Sequence, residues 1–125
     1  MKNKTLVIVG VVVLLLILGT VWLVKTPSGP GKYDAFAKCL GEKGAKFYGA
    51  FWCPHCRNQK ALFGSSAQYL PYIESSTPDG NGRTQVCIDK NITGYPTWIF
   101  ADGEQKGGEV SLEDLGAKTS CELPK

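Results

Sequence analysis

Lys46-Phe47-Tyr48-Gly49-Ala50-Phe51-Trp52-Cys53-Pro54-His55-Cys56 is the stretch on which the fold turns. Lys46 to Trp52 is aromatic-rich and reads as a buried strand. The four residues that follow open a helix. Cys53 stands near the N-cap, Pro54 suits a first turn whose N–H has no intrahelical partner to lose, and Gln59, Lys60, Ala61 and Leu62 propagate the helix.

Working outward, Tyr33 to Leu40 has apolar Phe36, Cys39 and Leu40 at i, i+3 and i+4, a helical pattern that Gly41 or Gly44 should stop. Downstream, Tyr69 to Glu74 reads as a second short strand, and the turn-rich Thr77-Pro78-Asp79-Gly80-Asn81-Gly82 leads to a weaker helix over Gln85 to Lys90. Tyr95 to Phe100 is a strong strand, Ala101-Asp102-Gly103-Glu104 a hairpin turn with an Asp-Gly signal, and Gln105 to Val110 its partner. Ser111-Leu112-Glu113-Asp114 is a capping box for a last helix. The order α-β-α-β-α-β-β-α, with Cys-x-x-Cys at the first strand-to-helix junction, predicts an α/β thioredoxin-like fold, a four-stranded mixed sheet flanked by helices.

Before this lies Leu6 to Val24 (LVIVGVVVLLLILGTVWLV), without charge and without a strongly polar side chain apart from Thr20. About 18 such residues suffice to cross roughly 30 Å of hydrocarbon as a single transmembrane helix. A signal peptide has a shorter apolar core and a small-residue cleavage site, whereas Lys25-Thr26-Pro27-Ser28-Gly29-Pro30-Gly31-Lys32 follows here, so a retained anchor is favoured. The expected organisation is a cytoplasmic N-terminus over residues 1–5, an anchor over 6–24, a Pro/Gly/Ser tether over 25–32 and a folded domain over 33–125. Lys2 and Lys4 favour a cytoplasmic N-terminus, hence a single-pass plasma-membrane protein whose domain lies outside the cytoplasm.

The whole-chain averages describe neither part. The 125 residues carry a net charge of +3, but Lys2, Lys4, Lys25 and Lys32 flank the apolar run while all 11 acidic residues lie beyond it. Residues 33–125 therefore hold ten basic and 11 acidic side chains, and no basic patch argues for nucleic acid. One small domain excludes a large self-sufficient enzyme, the absence of repeats excludes a solenoid, and 12 aromatic residues beyond the apolar run argue against disorder.

Two thiols separated by two residues at a helix start can close a disulfide with little backbone movement, and the same spacing serves zinc. Zinc needs about four ligands, yet Cys39, Cys87 and Cys121 form no second pair and His55 is the sole histidine. Copper delivery would want a further His or Met, and the only Met is Met1. The remaining bland reading, an incidental structural Cys-x-x-Cys, is weakened by the strand before, the helix after and the proline between. Redox work is favoured, with no metal and no cofactor beyond the Cys53/Cys56 pair itself.

A Cys53 thiolate would sit at a helix N-terminus, where unpaired N–H groups favour negative charge. His55 and Arg57 add positive charge, so the Cys53 pKa is expected well below the free-thiol value of about 8.5. A stabilised thiolate makes the disulfide a stronger oxidant, with Pro54 and His55 as tuning residues. Cys53 is read as the exposed sulfur that attacks or is attacked, and Cys56, a turn inside, as the resolving thiol. In Tyr95-Pro96-Thr97 a trans proline would be an edge-strand start. With Cys-x-x-Cys upstream, a cis-proline beside the thiols is expected instead, its backbone and that of Tyr95 binding a substrate chain as an added strand.

Phe36-Ala37-Lys38-Cys39-Leu40, Gly44 to Cys56, Lys60-Ala61-Leu62-Phe63-Gly64, Pro78-Asp79-Gly80 and Ile92-Thr93-Gly94-Tyr95-Pro96-Thr97-Trp98 together resemble the thioredoxin-like domain attached to bacterial and plant homologues of vitamin K epoxide reductase. The resemblance implies passage of disulfides between substrate proteins and a quinone-reducing membrane protein, here a separate partner because a single anchor stands where the four-helix reductase would be. There is one departure. The family often carries a cysteine after the Glu that ends the second strand, bridged to one in the next helix, whereas Glu74 is followed by Ser75 while Cys87 remains. Beside that resemblance, Cys39 and Cys121 are the pair favoured as a structural disulfide with Cys87 left free, although three pairings are open.

These readings converge on a membrane-anchored thiol–disulfide oxidoreductase, expected as a monomer, that oxidises exported cysteine-containing proteins through Cys53/Cys56. A tethered reductase uses the same motif. A glutaredoxin-like protein is the further alternative, with a glutathione carboxylate at Gly107-Gly108, although a glycine pair in a hairpin usually serves the turn. A non-catalytic peptide-binding module or chaperone, using the groove beside Pro96, is weakened by the intact thiol pair.

Overall fold

The computed structural model describes residues 1–24 and 29–125. Helix α1, Lys2–Val24, begins before Leu6, taking in Lys2 and Lys4. Its span Lys2–Thr20 is long and apolar enough to cross a membrane, and none of it is buried within the structure. Of the tether expected over 25–32, residues 25–28 lie outside the described residues. Gly31 and Tyr33 are both tied into the domain. The Gly31 N–H donates to Asp34 Oδ2 at 3.0 Å, and the Tyr33 N–H donates to Ser66 Oγ at 3.1 Å.

Helix α2, Asp34–Glu42, buries Phe36, Ala37 and Leu40 and runs through Gly41. Gly44 ends it. At φ +82° it takes the left-handed conformation, Gly44 N–H bonds to the Gly41 carbonyl and Ala45 N–H to the Leu40 carbonyl, each at 3.0 Å. That double closure is a Schellman turn, and it aims the chain into strand β1, Lys46–Gly49. β1 is shorter than the aromatic run suggested. Cys53 N–H bonds the Ala50 carbonyl at 3.0 Å, folding residues 50–53 into a turn that leaves Phe51 53% and Trp52 46% exposed.

Helix α3, Pro54–Ala61, leads into a 3-10 helix, Gly64–Tyr69, that the sequence reading did not anticipate. The second strand therefore starts later, as β2, Tyr72–Glu74. Helix α4 (Gln85–Asp89), strands β3 (Thr97–Ile99) and β4 (Gln105–Gly107) and helix α5 (Leu112–Thr119) complete the order, the last two strands also being shorter than expected. Ser111 Oγ caps α5, accepting from Asp114 N–H at 3.1 Å. Among the described residues four strands form one mixed sheet of order β2-β1-β3-β4, with β1 parallel to β2 and the other neighbours antiparallel. This is the α/β architecture that the order of elements implied.

Strand alternation assigns side chains to two cores. Phe47 and its partner Trp98 stack at 5.0 Å on one face, within a cluster that takes in Phe36, Leu40, Phe63 and Leu115. Tyr48 points to the other face, where it joins Cys87 and Ile92. A disulfide between Cys39 on α2 and Cys121 after α5 ties those two helices across 82 residues of chain.

Gly49 and Gln59 dock α3 on the sheet. A Cβ on Gly49 would stand 2.7 Å from the Tyr72 ring and 3.0 Å from Cys56 Sγ, so only glycine lets Cys56 come this close to β1. Gln59 lies three residues beyond Cys56 on the same buried side of α3 and is 0% exposed. Its Oε1 accepts from Val110 N–H at 2.7 Å and Trp98 Nε1 at 3.2 Å, and its Nε2 donates to the Val110 carbonyl at 2.9 Å. Gln59→Leu removes the amide and leaves those groups buried without partners. The expected cost is about 3 kcal/mol, measured as the loss in denaturant unfolding of the full-length protein followed by tryptophan fluorescence. A loss below about 1 kcal/mol, the worth of one ordinary hydrogen bond, would contradict the role assigned to Gln59.

Candidate active site

Cys53 is the N-cap of α3, with φ −76° and ψ 120°, and its Sγ accepts from Cys56 N–H at 3.4 Å. One orphan donor of the helix terminus is thus aimed at this sulfur, and the end of the helix favours negative charge there. The sequence reading made Cys53 exposed. In the structure it is 4% exposed, its Sγ packed 3.7 Å from the Tyr95 carbonyl, and it meets solvent through a cleft of about 450 Å³ that it lines with Trp52, Pro54, His55, Arg83 and Tyr95. Cys56 is 1% exposed and does not line that cleft. Burial pushes the Cys56 thiol up to about 12, and its hydrogen bond to Cys53 adds to the rise. The two sulfurs are free thiols held in different environments.

The opposite wall is the segment before β3. The Tyr95–Pro96 peptide bond is cis and Pro96 is fully buried. Tyr95 is fixed through its side chain. The ring packs edge-on against Trp52 at 6.0 Å, and the hydroxyl donates to the Ser75 carbonyl at 3.2 Å and lies 3.5 Å from Cys87 Sγ. Burial, with the bond to Cys87, keeps that hydroxyl protonated well above the ordinary tyrosine range. The Pro96 carbonyl accepts from Gly108 N–H at 2.8 Å, and Gly108 has φ +88°, so Gly107 ends β4 rather than serving the hairpin turn and the Gly108 donor is already used within the fold.

His55 is largely exposed, and its Nδ1 meets Glu109 Oε1 at 2.8 Å. Asn58 Nδ2 donates to the same oxygen at 3.2 Å, and the bonds from His55 and Asn58 hold the Glu109 carboxyl below its usual range. The imidazole that the sequence assigned to Cys53 is thus also answered by a carboxylate. Sequence reasoning missed Glu109, which lies 54 residues from His55 in a stretch read only as the partner strand of a hairpin. It also missed Gln59, read only as a helix former, and Arg83, whose place in the cleft follows from the bridge between Ser76 and Arg83. Among the described residues no three His, Cys, Asp or Glu side chains gather as a metal site.

No protein-family model matches the chain. It is 44% identical over 94 residues, 71% of its length, to the thiol-disulfide oxidoreductase LTO1 of Arabidopsis thaliana. It is 29% identical over 107 residues, 74% of its length, to the thioredoxin domain-containing protein 5 homolog of Drosophila melanogaster. The chain spans about a quarter of these curated relatives, 24% of the first and 25% of the second. Those similarities fall on a chain whose thiol pair caps the helix after the first strand of a β2-β1-β3-β4 sheet, and the part beyond the apolar helix is accordingly a thioredoxin-like domain.

Proposed function

We propose that the chain is a membrane-anchored protein thiol–disulfide oxidoreductase that oxidises exported cysteine-containing proteins through Cys53 and Cys56. The observation that carries this reading is the asymmetry of the pair. Cys53 lines the cleft and takes the Cys56 N–H at the start of α3, while Cys56 is buried and held protonated.

From the Cys53–Cys56 disulfide, a substrate thiolate attacks Cys53 Sγ. The substrate–Cys53 bond forms, the Cys53–Cys56 bond breaks, and Cys56 leaves as a thiolate that takes a proton. A second substrate thiolate then attacks the first substrate sulfur and expels Cys53 as the thiolate. The substrate has lost two electrons and two protons; the pair has gained the electrons, with one proton on Cys56 and the second exchanged with solvent. The helix terminus stabilises the Cys53 thiolate released in that last step, which favours the oxidising direction. Tyr95 lines the cleft and the buried cis-Pro96 fixes the backbone behind it, so an extended substrate would lie along Thr93 to Tyr95, with Pro54 and His55 setting the pair's potential.

The apolar span of α1 supports anchoring, and Lys2 and Lys4 support a cytoplasmic N-terminus in the plasma membrane. For turnover the reduced pair must pass its electrons on. The proposed acceptor is a separate membrane quinone reductase of the vitamin K epoxide reductase type, which the resemblance carried by residues between Phe36 and Trp98 supports.

Three measurements on the full-length protein in detergent test this. Oxidation of a reduced substrate should be lost in Cys53→Ser, and retained activity would mean a binding module instead. The Cys53/Cys56 potential should stand well above the thioredoxin value of about −270 mV, and a value at or below that figure would overturn the oxidase direction. In the reduced protein Cys56 should resist alkylation at pH 8, where a thiol with a pKa near 12 is almost wholly protonated, while Cys53 is modified. Comparable labelling of both, read by peptide mass mapping, would refute the asymmetry.

A further inference from the structure

Arg83 lines the same cleft as Cys53. Its backbone is fixed by the bridge to Ser76, in a loop closed by Thr77 N–H on the Gly82 carbonyl at 3.0 Å and Thr84 N–H on the Ser75 carbonyl at 3.0 Å. Nη1 donates to the Ile92 carbonyl at 2.8 Å, which holds the guanidinium by one edge. Among the described residues no carboxylate pairs with it, whereas the cleft's other basic side chain, His55, is answered by Glu109. None of the residues lining the cleft is Asp or Glu. Glu74, the acid whose charge reaches Tyr95, is turned away onto Tyr72 OH at 2.8 Å and Ser76 N–H at 2.9 Å. An exposed, oriented guanidinium with donors to spare, beside a redox sulfur and without a carboxylate of its own, is complementary to an anion on the incoming chain.

We propose that Arg83 makes this site selective for extended peptides carrying an Asp or Glu within about two residues of the reacting cysteine, roughly 7 Å along a strand. The inference rests on the oxidoreductase reading above and adds the substrate class. Arg83 takes no part in the electron transfer. The peptide thiolate attacks Cys53 Sγ, Cys56 leaves and is protonated, and a second peptide thiolate releases Cys53, so that two peptide thiols become one disulfide and the Cys53/Cys56 disulfide becomes two thiols. What Arg83 contributes is attraction of the acidic neighbour during encounter and in the mixed disulfide, a rim charge effect that salt screens.

The test uses the oxidised full-length protein in non-ionic detergent and three blocked peptides with one cysteine flanked on both sides by Glu, Gln or Lys. The readout is the second-order rate of disulfide reduction, expressed per thiolate because flanking charges shift the peptide thiol itself. At low salt the Glu peptide should react about tenfold faster than the Lys peptide, a ratio that shrinks at high salt. Arg83→Gln should bring the ratio near one, mainly by slowing the Glu peptide, and Arg83→Lys should keep most of the preference. The proposal is overturned if the wild-type protein shows no preference, if Arg83→Gln keeps it, or if that variant slows all three peptides alike, which would make Arg83 a structural tie to Ile92. Failure of every peptide, the neutral one included, to reduce the wild-type disulfide would overturn the oxidoreductase reading along with it.

Discussion

A buried amide holds the functional parts of this domain in register. Gln59 sits on α3 one turn beyond Cys56, and its oxygen and nitrogen reach both the Val110 backbone and the Trp98 indole. In an apolar interior each of those bonds is costly to leave unmade, so α3, β3 and the strand-to-helix connection after β4 have one mutual arrangement that satisfies them all. Gly49 sets the complementary limit. It lets the helix approach until Cys56 touches β1, and no side chain could stand there. The disulfide between Cys39 and Cys121 then ties α2 to the end of α5 against the same core.

From this arrangement the difference between the two sulfurs follows. Docking by Gln59 and Gly49 drives Cys56 into the core, where burial favours the neutral thiol. The same helix leaves Cys53 at its N-terminus facing the cleft, with a backbone donor pointed at its sulfur. Val110 is gripped by Gln59, so its neighbour Glu109 is carried to His55 and Asn58. One packing interaction thereby decides how a charge at the redox site is compensated. On the other wall, Tyr95 is braced by Trp52, Ser75 and Cys87, which fixes the residue preceding the cis-proline.

Much of this was legible in the chain because it depends on local chemistry. A strand, a helix N-cap and a proline in the first turn are neighbours in sequence, so the position of the thiol pair could be read without tertiary information. Element boundaries were less legible. Phe51 and Trp52 have strand-forming side chains, but a turn closed on Ala50 exposes them, and the 3-10 helix over Gly64–Tyr69 takes Tyr69, the first residue read into the second strand. Gln59, Arg83 and Glu109 looked like ordinary helix, loop and strand residues, since what each touches lies on a different element.

The sequence by itself determined the order of elements, the apolar span ahead of the domain, and which two cysteines begin a helix, because each rests on contacts within a few residues or on composition over a window. Only the tertiary structure decided that Cys53 is recessed in a cleft, that Cys56 is buried, that Cys39 bridges to Cys121 and that Arg83 and Glu109 flank the redox pair. Those are contacts between segments far apart in the chain, and which long-range contacts form depends on how the whole core packs around Gln59, Gly49 and Trp98, something no local pattern encodes.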